Sequence, residues 1–266
     1  MTPYGSWVAY EPELVPPLRL MRREGIEVLE DWFRWGEEWS TVLRIYGRLS
    51  GRGHVLEIGC GLGRIAFPLR YVLTGGTYDG FDVDAEKVEF LQRAFHRAHP
   101  NFRFTHADVR NTYYNPRGSL ATDLFQFPYA DDSFDVVFAA SVFTHMLPGG
   151  TARYFEESAR VLRPGGRLVA SAFLLDHYQP GRPRPLPFAR SDFDFDHRSP
   201  RLGDGFAMAH PENPEQMTAY GLSWLEQAAA RAGLALVTPP LPGLWSGHTD
   251  SWVLAQDVLV LTKPDA

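Results

Sequence analysis

The feature that most constrains the fold is the stretch VLEIGCGLGR, residues 55–64. An apolar run carries an acid, Glu57, near its end, and glycines follow at positions 59, 61 and 63. Glycines this close together favour a tight turn in which the backbone approaches another group closely. A buried strand that ends in such a turn is typical of parallel α/β sheets, in which ligands bind at the carboxyl ends of the strands.

From about residue 53 the sequence alternates between strand and helix patterns. The predicted strands are HVLEI, TYDGFDV, FRFTHADV, SFDVVFAASV, the run that follows RPGG, LALVTP and AQDVLVLTK. Helical patterns lie between most of them, and Asp84 is the expected N-cap of DAEKVEFLQRAFHRAH. Strands that alternate with helices predict an α/β fold with a mostly parallel open sheet and right-handed crossovers.

Two parts of the chain lie outside this alternation. Residues 1–50 place apolar residues at helical spacing, and we expect one or two amphipathic helices there, either packed on the sheet or forming a lid. Residues 51–266 form the predicted core, with an insertion at about 176–212 that follows the fifth strand. It is rich in Pro, Arg, Asp and aromatic residues, and we expect it to cover a substrate.

Composition narrows the class of partner. The 266 residues carry a net charge of -6 and no Lys/Arg-rich block, which argues against a nucleic acid. Cys60 is the single cysteine, so no intrachain disulfide can form, as is typical of a reducing cytosol. No signal-peptide pattern and no apolar run of about 20 residues is present. We expect a cytoplasmic protein without a membrane partner. The sequence does not determine the oligomeric state, and a homo-oligomer is one of the open alternatives.

The spacing of the glycines indicates which nucleotide the turn binds. The dinucleotide fingerprint G-x-G-x-x-G needs a glycine at position 64, where this chain has Arg64. Glu57 is also badly placed beside a pyrophosphate. The expected ligand therefore lacks a pyrophosphate and carries positive charge, and S-adenosylmethionine meets both conditions.

Two further acids follow the next strands. Asp82 ends the second predicted strand, where it could accept both ribose hydroxyls, and Asp108 ends the third, where it could accept from the adenine amine. Each acid alone could instead cap a helix or hold a turn. Three acids in register with the glycine turn favour a ligand site.

These motifs together resemble class I S-adenosylmethionine-dependent methyltransferases. VLEIGCGLGR is similar to the family's first motif and GFDVDAEKV to its acidic second-strand motif. ADV, FPYADDSFDVVFAASVFTHM and ARVLRPGGRLVASAFLL follow in the family's order, so that the resemblance spans about residues 53–175.

The resemblance implies a Rossmann-like seven-stranded sheet whose last strand, QDVLVLTK, runs antiparallel. It implies S-adenosylmethionine as cofactor and S-adenosylhomocysteine as product. It also implies roles for site residues: the backbone of Gly59, Cys60 and Gly61 at the methionine part, Glu57 orienting the turn and the amino group, Asp82 with Val83 at the ribose, Asp108 with Val109 at the adenine, and Ser141 and Phe143 at the sulfonium.

The histidines are the candidates for a catalytic base. Methyl transfer needs an aligned acceptor, and a hydroxyl acceptor gains from a general base with a pKa near 7. His145 follows the fourth strand and is the first candidate, although it could simply pack there. The other candidate histidines, any of which could fold over the acceptor, are His177, His197, His210 and His248. None is spaced as in a metal site, so no metal is expected.

The acceptor itself stays open at this stage. We expect a small-molecule hydroxyl, as in a secondary metabolite or glycan, and the alternative is a nitrogen or carbon acceptor. AASVFTH stands where many amino-group methylases of nucleic acids or proteins carry Asn/Asp-Pro-Pro-Tyr/Phe. From other classes, a nicotinamide oxidoreductase lacks its third glycine, and a non-catalytic S-adenosylmethionine-binding module remains an alternative.

Overall fold

A computed structural model describes residues 11–95, 97–185, 188, 193–199, 202–247 and 253–265. The chain divides into two compact units, residues 1–107 and residues 108–266. The predicted boundary at residue 50 and the predicted lid role of residues 1–50 stay predictions.

The first unit consists of helices and three parallel strands. Its elements are α1 (Leu18–Arg23), α2 (Leu29–Ile45), β1 (His54–Ile58), α3 (Ala66–Val72), β2 (Thr77–Asp82), α4 (Ala85–Phe95) and β3 (Phe102–His106). β1 pairs in parallel with β2, and β2 with β3. Asp84 caps α4 as predicted, because its side chain accepts from the N–H of Glu86 at 3.0 Å.

The N-terminal helices bury the apolar face that the helical spacing predicts. On α2, Trp32, Phe33 and Leu43 are buried. The rings of Trp32 and Phe33 contact Phe67 of α3, with centroids 5.1 and 5.2 Å apart. This contact anchors α2 beside the segment that follows β1.

The second unit contains the other strands of the large sheet and a small antiparallel sheet. Its elements are β4 (Phe134–Ala139), α5 (Pro148–Val161), β5 (Leu162–Ala172), β6 (His197–Arg198), β7 (Phe206–Met208), β8 (Thr218–Tyr220), α6 (Leu222–Arg231), β9 (Ala235–Leu236) and β10 (Asp257–Thr262). Across the described parts of both units, no helix combines the length and the apolar character that crossing a membrane requires.

The large sheet has seven strands in the order β3-β2-β1-β4-β5-β10-β9. β10 runs antiparallel to β5, with Val260 opposite Val169, as predicted for the last strand. The α/β fold with a mostly parallel, Rossmann-like sheet is therefore confirmed. The small sheet, β6-β7-β8, includes part of the predicted insertion and continues beyond it to Tyr220.

Candidate functional site

The glycine turn continues directly from β1. The N–H groups of Gly59 and Cys60 both donate to the carbonyl oxygen of Phe81, at 2.8 and 3.0 Å. The N–H of Gly61 donates to one carboxylate oxygen of Asp82 at 2.8 Å. The other carboxylate oxygen accepts the N–H of Asp84 at 2.9 Å. Asp82, at the end of β2, therefore fixes the position of the turn.

Two of the glycines have neither the conformation nor the space for a side chain. Gly61 and Gly63 have φ values of +51° and +73°, in the left-handed region that glycine adopts most easily. A Cβ on Gly63 would lie 2.5 Å from a methyl carbon of Leu91 on α4. A Cβ on Gly61 would lie 2.9 Å from Oε1 of Glu24. The turn is therefore bare backbone bordered by a carboxylate.

Glu57 lies beneath this turn, buried within β1. Its carboxyl accepts a hydrogen bond from the hydroxyl of Tyr78. Burial raises the pKa of Glu57 to about 8, against the opposing effects of the Tyr78 hydrogen bond and the charge of Arg64. At neutral pH the ligand-free carboxyl is therefore mostly protonated, and a bound cation would favour its charged form.

Burial affects Asp82 and Cys60 in the same direction. Desolvation raises the pKa of the Asp82 carboxyl, although the charge of Lys87 opposes it. Desolvation also raises the pKa of the Cys60 thiol well above its usual value. Because the thiolate is the reactive form of cysteine, this supports a space-filling role for Cys60.

Carboxyl groups predominate around the turn. The charges of Asp82 and Glu24 contribute to the raised pKa of Glu57, and the charge of Glu24 contributes to the raised pKa of Asp82. The ammonium of Lys87, whose side chain is 8% exposed, pairs with Glu24 at 2.9 Å. A phosphate brought to this turn would meet like charges, whereas a cationic ligand would meet complementary ones.

In the second unit, Asp108 holds a turn. Its carboxylate accepts from the Asn115 amide at 3.0 Å and from the Ser119 hydroxyl at 2.7 Å. The third strand was predicted to run through Val109, but β3 ends at His106. The prediction was too long because the backbone of Asp108 and Val109 pairs with the loop at Leu120. The adenine contact of Asp108 and Val109 stays a prediction.

Ser141 and Phe143 follow β4. Ser141 has a φ of +59°, and a non-glycine residue in this region marks local strain of a kind that concentrates at functional sites. The N–H of Ser141 donates to the Ser171 hydroxyl at 2.8 Å, and the Ser141 hydroxyl donates to the side chain of Gln256 at 3.2 Å. The ring of Phe143 is buried against Phe155, with centroids 5.1 Å apart.

His145 is half-buried in the same segment. Its Nδ1 lies 3.3 Å from the carbonyl oxygen of Glu215, and its Nε2 lies 3.4 Å from the hydroxyl of Tyr114. The ring of Tyr113 is stacked with the imidazole at a centroid distance of 5.9 Å. Burial lowers the pKa of His145 to about 4, so the ring is neutral at pH 7.

Asp257 is a buried carboxylate that the sequence pattern did not single out. This carboxylate is completely buried at the start of β10. It accepts hydrogen bonds from the N–H groups of Leu174 and Gly243 at 2.9 and 2.7 Å, and from the Trp245 indole at 2.7 Å. It also pairs with Nδ1 of His177 at 2.8 Å, an interaction that raises the pKa of His177. The available signal was an acid directly before an apolar strand pattern.

Other side chains of the predicted insertion are dispersed. His197 is exposed on β6, and His210 lies 3.5 Å from Glu212. Arg184, whose side chain is 11% exposed, pairs with Asp194. Among the described residues, no group of three or more His, Cys, Asp or Glu is arranged to hold a metal ion. Arg190, Asp192, Arg201 and His248 lie outside the described residues.

Comparison with known proteins agrees with this geometry. Residues 56–170 match the family model of the methyltransferase domain. The chain is 33% identical over 136 residues to the O-methyltransferase cnsE of Penicillium expansum, covering 49% of this chain and 41% of that protein. It is 36% identical over 129 residues to the methyltransferase GfsG of Streptomyces halstedii, covering 47% and 40%. The matched part is thus about two fifths of each relative's length.

The fold is shared with solved structures. A structure of a SAM-dependent methyltransferase from Methanosarcina mazei superposes with a TM-score of 0.55 at 20% identity, covering 85% of this chain and 98% of that chain. The match to the methyltransferase-domain family model covers residues 56–170, which is less than half of the chain. The seven-stranded sheet that includes these residues has the same fold as that solved methyltransferase structure.

Proposed function

We propose that this protein transfers a methyl group from S-adenosylmethionine to a hydroxyl of a small molecule. The observation that carries the proposal is the glycine turn at Gly61, where bare backbone meets carboxyl groups. Such a turn suits a nucleoside that is cationic and carries no phosphate. Similarity to the O-methyltransferase cnsE, although limited to part of each chain, supports oxygen as the acceptor atom.

The residues of each unit fit parts of this cofactor by their chemistry. When bound, the cofactor supplies an electrophilic methyl group on a sulfonium. We assign the turn and its acids to the methionine part and ribose, and the residues after β3 and β4 to the adenine and sulfonium. The proposed set is Glu57, Gly59, Cys60, Gly61, Asp82 and Val83 in the first unit, and Asp108, Val109, Ser141 and Phe143 in the second.

His145 fits a pocket-lining role better than that of a base. Its pKa of about 4 makes the imidazole a weak proton acceptor at neutral pH. If Nδ1 carries the proton and donates to the carbonyl of Glu215, its Nε2 accepts from the hydroxyl of Tyr114. The ring is thereby held beside two tyrosines that could contact an acceptor.

His177 fits the role of general base. When Nδ1–H donates to Asp257, Nε2 carries the lone pair, and the buried carboxylate stabilises the protonated ring. The His177 side chain is 27% exposed, so the ring is accessible from solvent. The acceptor oxygen would bond to the methyl carbon as the carbon–sulfur bond breaks and its electron pair stays on sulfur. The hydroxyl proton would pass to Nε2 of His177.

The proposal is tested with methyl-labelled S-adenosylmethionine and three probes: phenol, benzyl alcohol and benzylamine. We expect transfer to a hydroxyl probe in the wild type and a loss of kcat of about 100-fold in His177→Gln. Cofactor affinity should be unchanged in that variant. His54→Gln, at the amino end of β1, is the control and should keep full activity.

Each alternative predicts a different pattern. Transfer to benzylamine alone would favour a nitrogen acceptor and contradict the hydroxyl proposal. Cofactor binding without transfer to any probe would favour a non-catalytic binding module. Full activity of His177→Gln with an unchanged pH profile would contradict only the role of His177.

A further inference from the structure

Glu24 is a carboxylate that reaches the glycine turn from the N-terminal part of the chain. It follows α1 directly, and its Oε1 lies 2.9 Å from the position that a Cβ on Gly61 would occupy. Any residue other than glycine at position 61 would therefore require the Glu24 side chain to shift. Thirty-seven residues separate Glu24 from Gly61, so the contact depends on the tertiary fold.

Ion pairs on both sides hold Glu24 in place. Lys87 of α4 lies 2.9 Å from its carboxylate, and the side chains of both residues are largely buried. On α1, Arg23 pairs with Asp84 at 2.8 Å and Arg19 pairs with Glu86 at 2.6 Å. These contacts attach the end of α1 to the beginning of α4, so that the carboxylate is already positioned when a ligand arrives.

We propose that Glu24 binds the α-ammonium group of S-adenosylmethionine and is a specificity-determining residue of the turn. This inference rests on the proposed function. A carboxylate offers about four lone-pair sites, so that its bond to Lys87 leaves acceptor capacity for a second ammonium. The ligand's ammonium would lie beside Gly61, against the backbone assigned to the methionine part. The same carboxylate would repel nucleotides that place a phosphate there.

A purely structural role for Glu24 predicts a different result. If the carboxylate only holds α1 against α4, its loss would weaken every ligand of the turn to a similar degree. If it contacts the ammonium, its loss would weaken only ligands that have one. 5′-Methylthioadenosine separates the two roles, because it keeps the nucleoside and the sulfur but lacks the amino-acid part.

The experiment is calorimetric titration of the full chain with S-adenosylmethionine, S-adenosylhomocysteine and 5′-methylthioadenosine. The Glu24→Gln variant keeps the shape of the side chain and removes its charge. We expect its affinity for the two ammonium-bearing ligands to fall by about tenfold or more. Its affinity for 5′-methylthioadenosine should stay within about twofold of the wild type.

Two further variants complete the design. Glu27→Gln changes an acid that lies three residues away and is 71% exposed, and it should bind all three ligands as the wild type does. Glu24→Asp keeps the charge and shortens its reach, so it should lose less affinity than Glu24→Gln. It also tests the proposal if Glu24→Gln does not fold.

The outcomes separate this inference from the proposed function. An equal loss for all three ligands, or no loss for any, would overturn the role of Glu24. A folded wild-type chain that binds neither S-adenosylmethionine nor S-adenosylhomocysteine would overturn the proposed function itself.

Discussion

Replacing Glu57 with glutamine should change how stability depends on pH. The Glu57 carboxyl is buried and bonded to the hydroxyl of Tyr78, and burial raises its pKa from 4.5 to about 8. In the unfolded chain the same carboxyl ionises near its ordinary pKa. Between these two values the folded state retains a proton that the unfolded state has lost. The wild type therefore loses stability as pH rises through this range.

The magnitude follows from the size of the shift. A difference of about 3.5 pKa units, from 4.5 to about 8, corresponds to about 5 kcal/mol at 1.36 kcal/mol per unit. This stabilisation is present in full below pH 4.5 and lost by about pH 8. Glutamine cannot ionise, so Glu57→Gln should lack this loss. Its free energy of unfolding, relative to the wild type, should rise by about 4 kcal/mol from pH 5 to pH 9, because part of the transition lies below pH 5.

Urea unfolding of the ligand-free protein at pH 5, 6, 7, 8 and 9 measures this difference. The other titrating groups are common to both proteins and cancel in the comparison. Glu27→Gln, at an exposed position, is the control and should follow the wild type at every pH. A stability difference between Glu57→Gln and the wild type that is the same at all five pH values would refute the reasoning, because Glu57 would then titrate normally.

Two further predictions concern the turn and its cysteine. Gly63→Ala should destabilise the protein by about 2 to 4 kcal/mol in urea unfolding, since its Cβ would meet Leu91 and its φ is +73°. Gly233→Ala shares the positive φ but has open space, so it should cost only about 1 kcal/mol; equal losses would contradict the packing argument. Burial raises the pKa of the Cys60 thiol. Cys60 should therefore resist a disulfide reagent such as dithionitrobenzoate at pH 8 and react fully in denaturant. Rapid labelling of the native chain would contradict its burial.

Much of the fold was predictable because its signals are local. The apolar run at residues 54–58 and the glycines after it predicted β1 and its turn, and Asp84 predicted the beginning of α4. Such features depend on residues a few positions apart. The antiparallel last strand came from the resemblance to a family, since its direction depends on its pairing with β5.

The contacts of the candidate site were not predictable in the same way. Tyr78 donates a hydrogen bond to Glu57, which lies 21 residues away in the sequence. Asp82 accepts one from Gly61, which is also 21 residues away. Glu24 stands in a charged segment, RREGIE, that is typical of an exposed helix end. The pairing of Asp257 with His177 spans 80 residues. These partners are defined by tertiary packing, which periodicity and spacing do not report.

We propose that the glycine turn and the carboxylate of Asp82 together bind S-adenosylmethionine. Calorimetric titration of the wild type and Asp82→Asn tests it most directly, since asparagine keeps an acceptor for the N–H of Gly61 but has no charge. We expect micromolar binding to the wild type, affinity weaker by about tenfold or more in the variant, and no comparable binding of a nicotinamide dinucleotide. A folded wild type that does not bind S-adenosylmethionine, or that binds the dinucleotide more tightly, would contradict it.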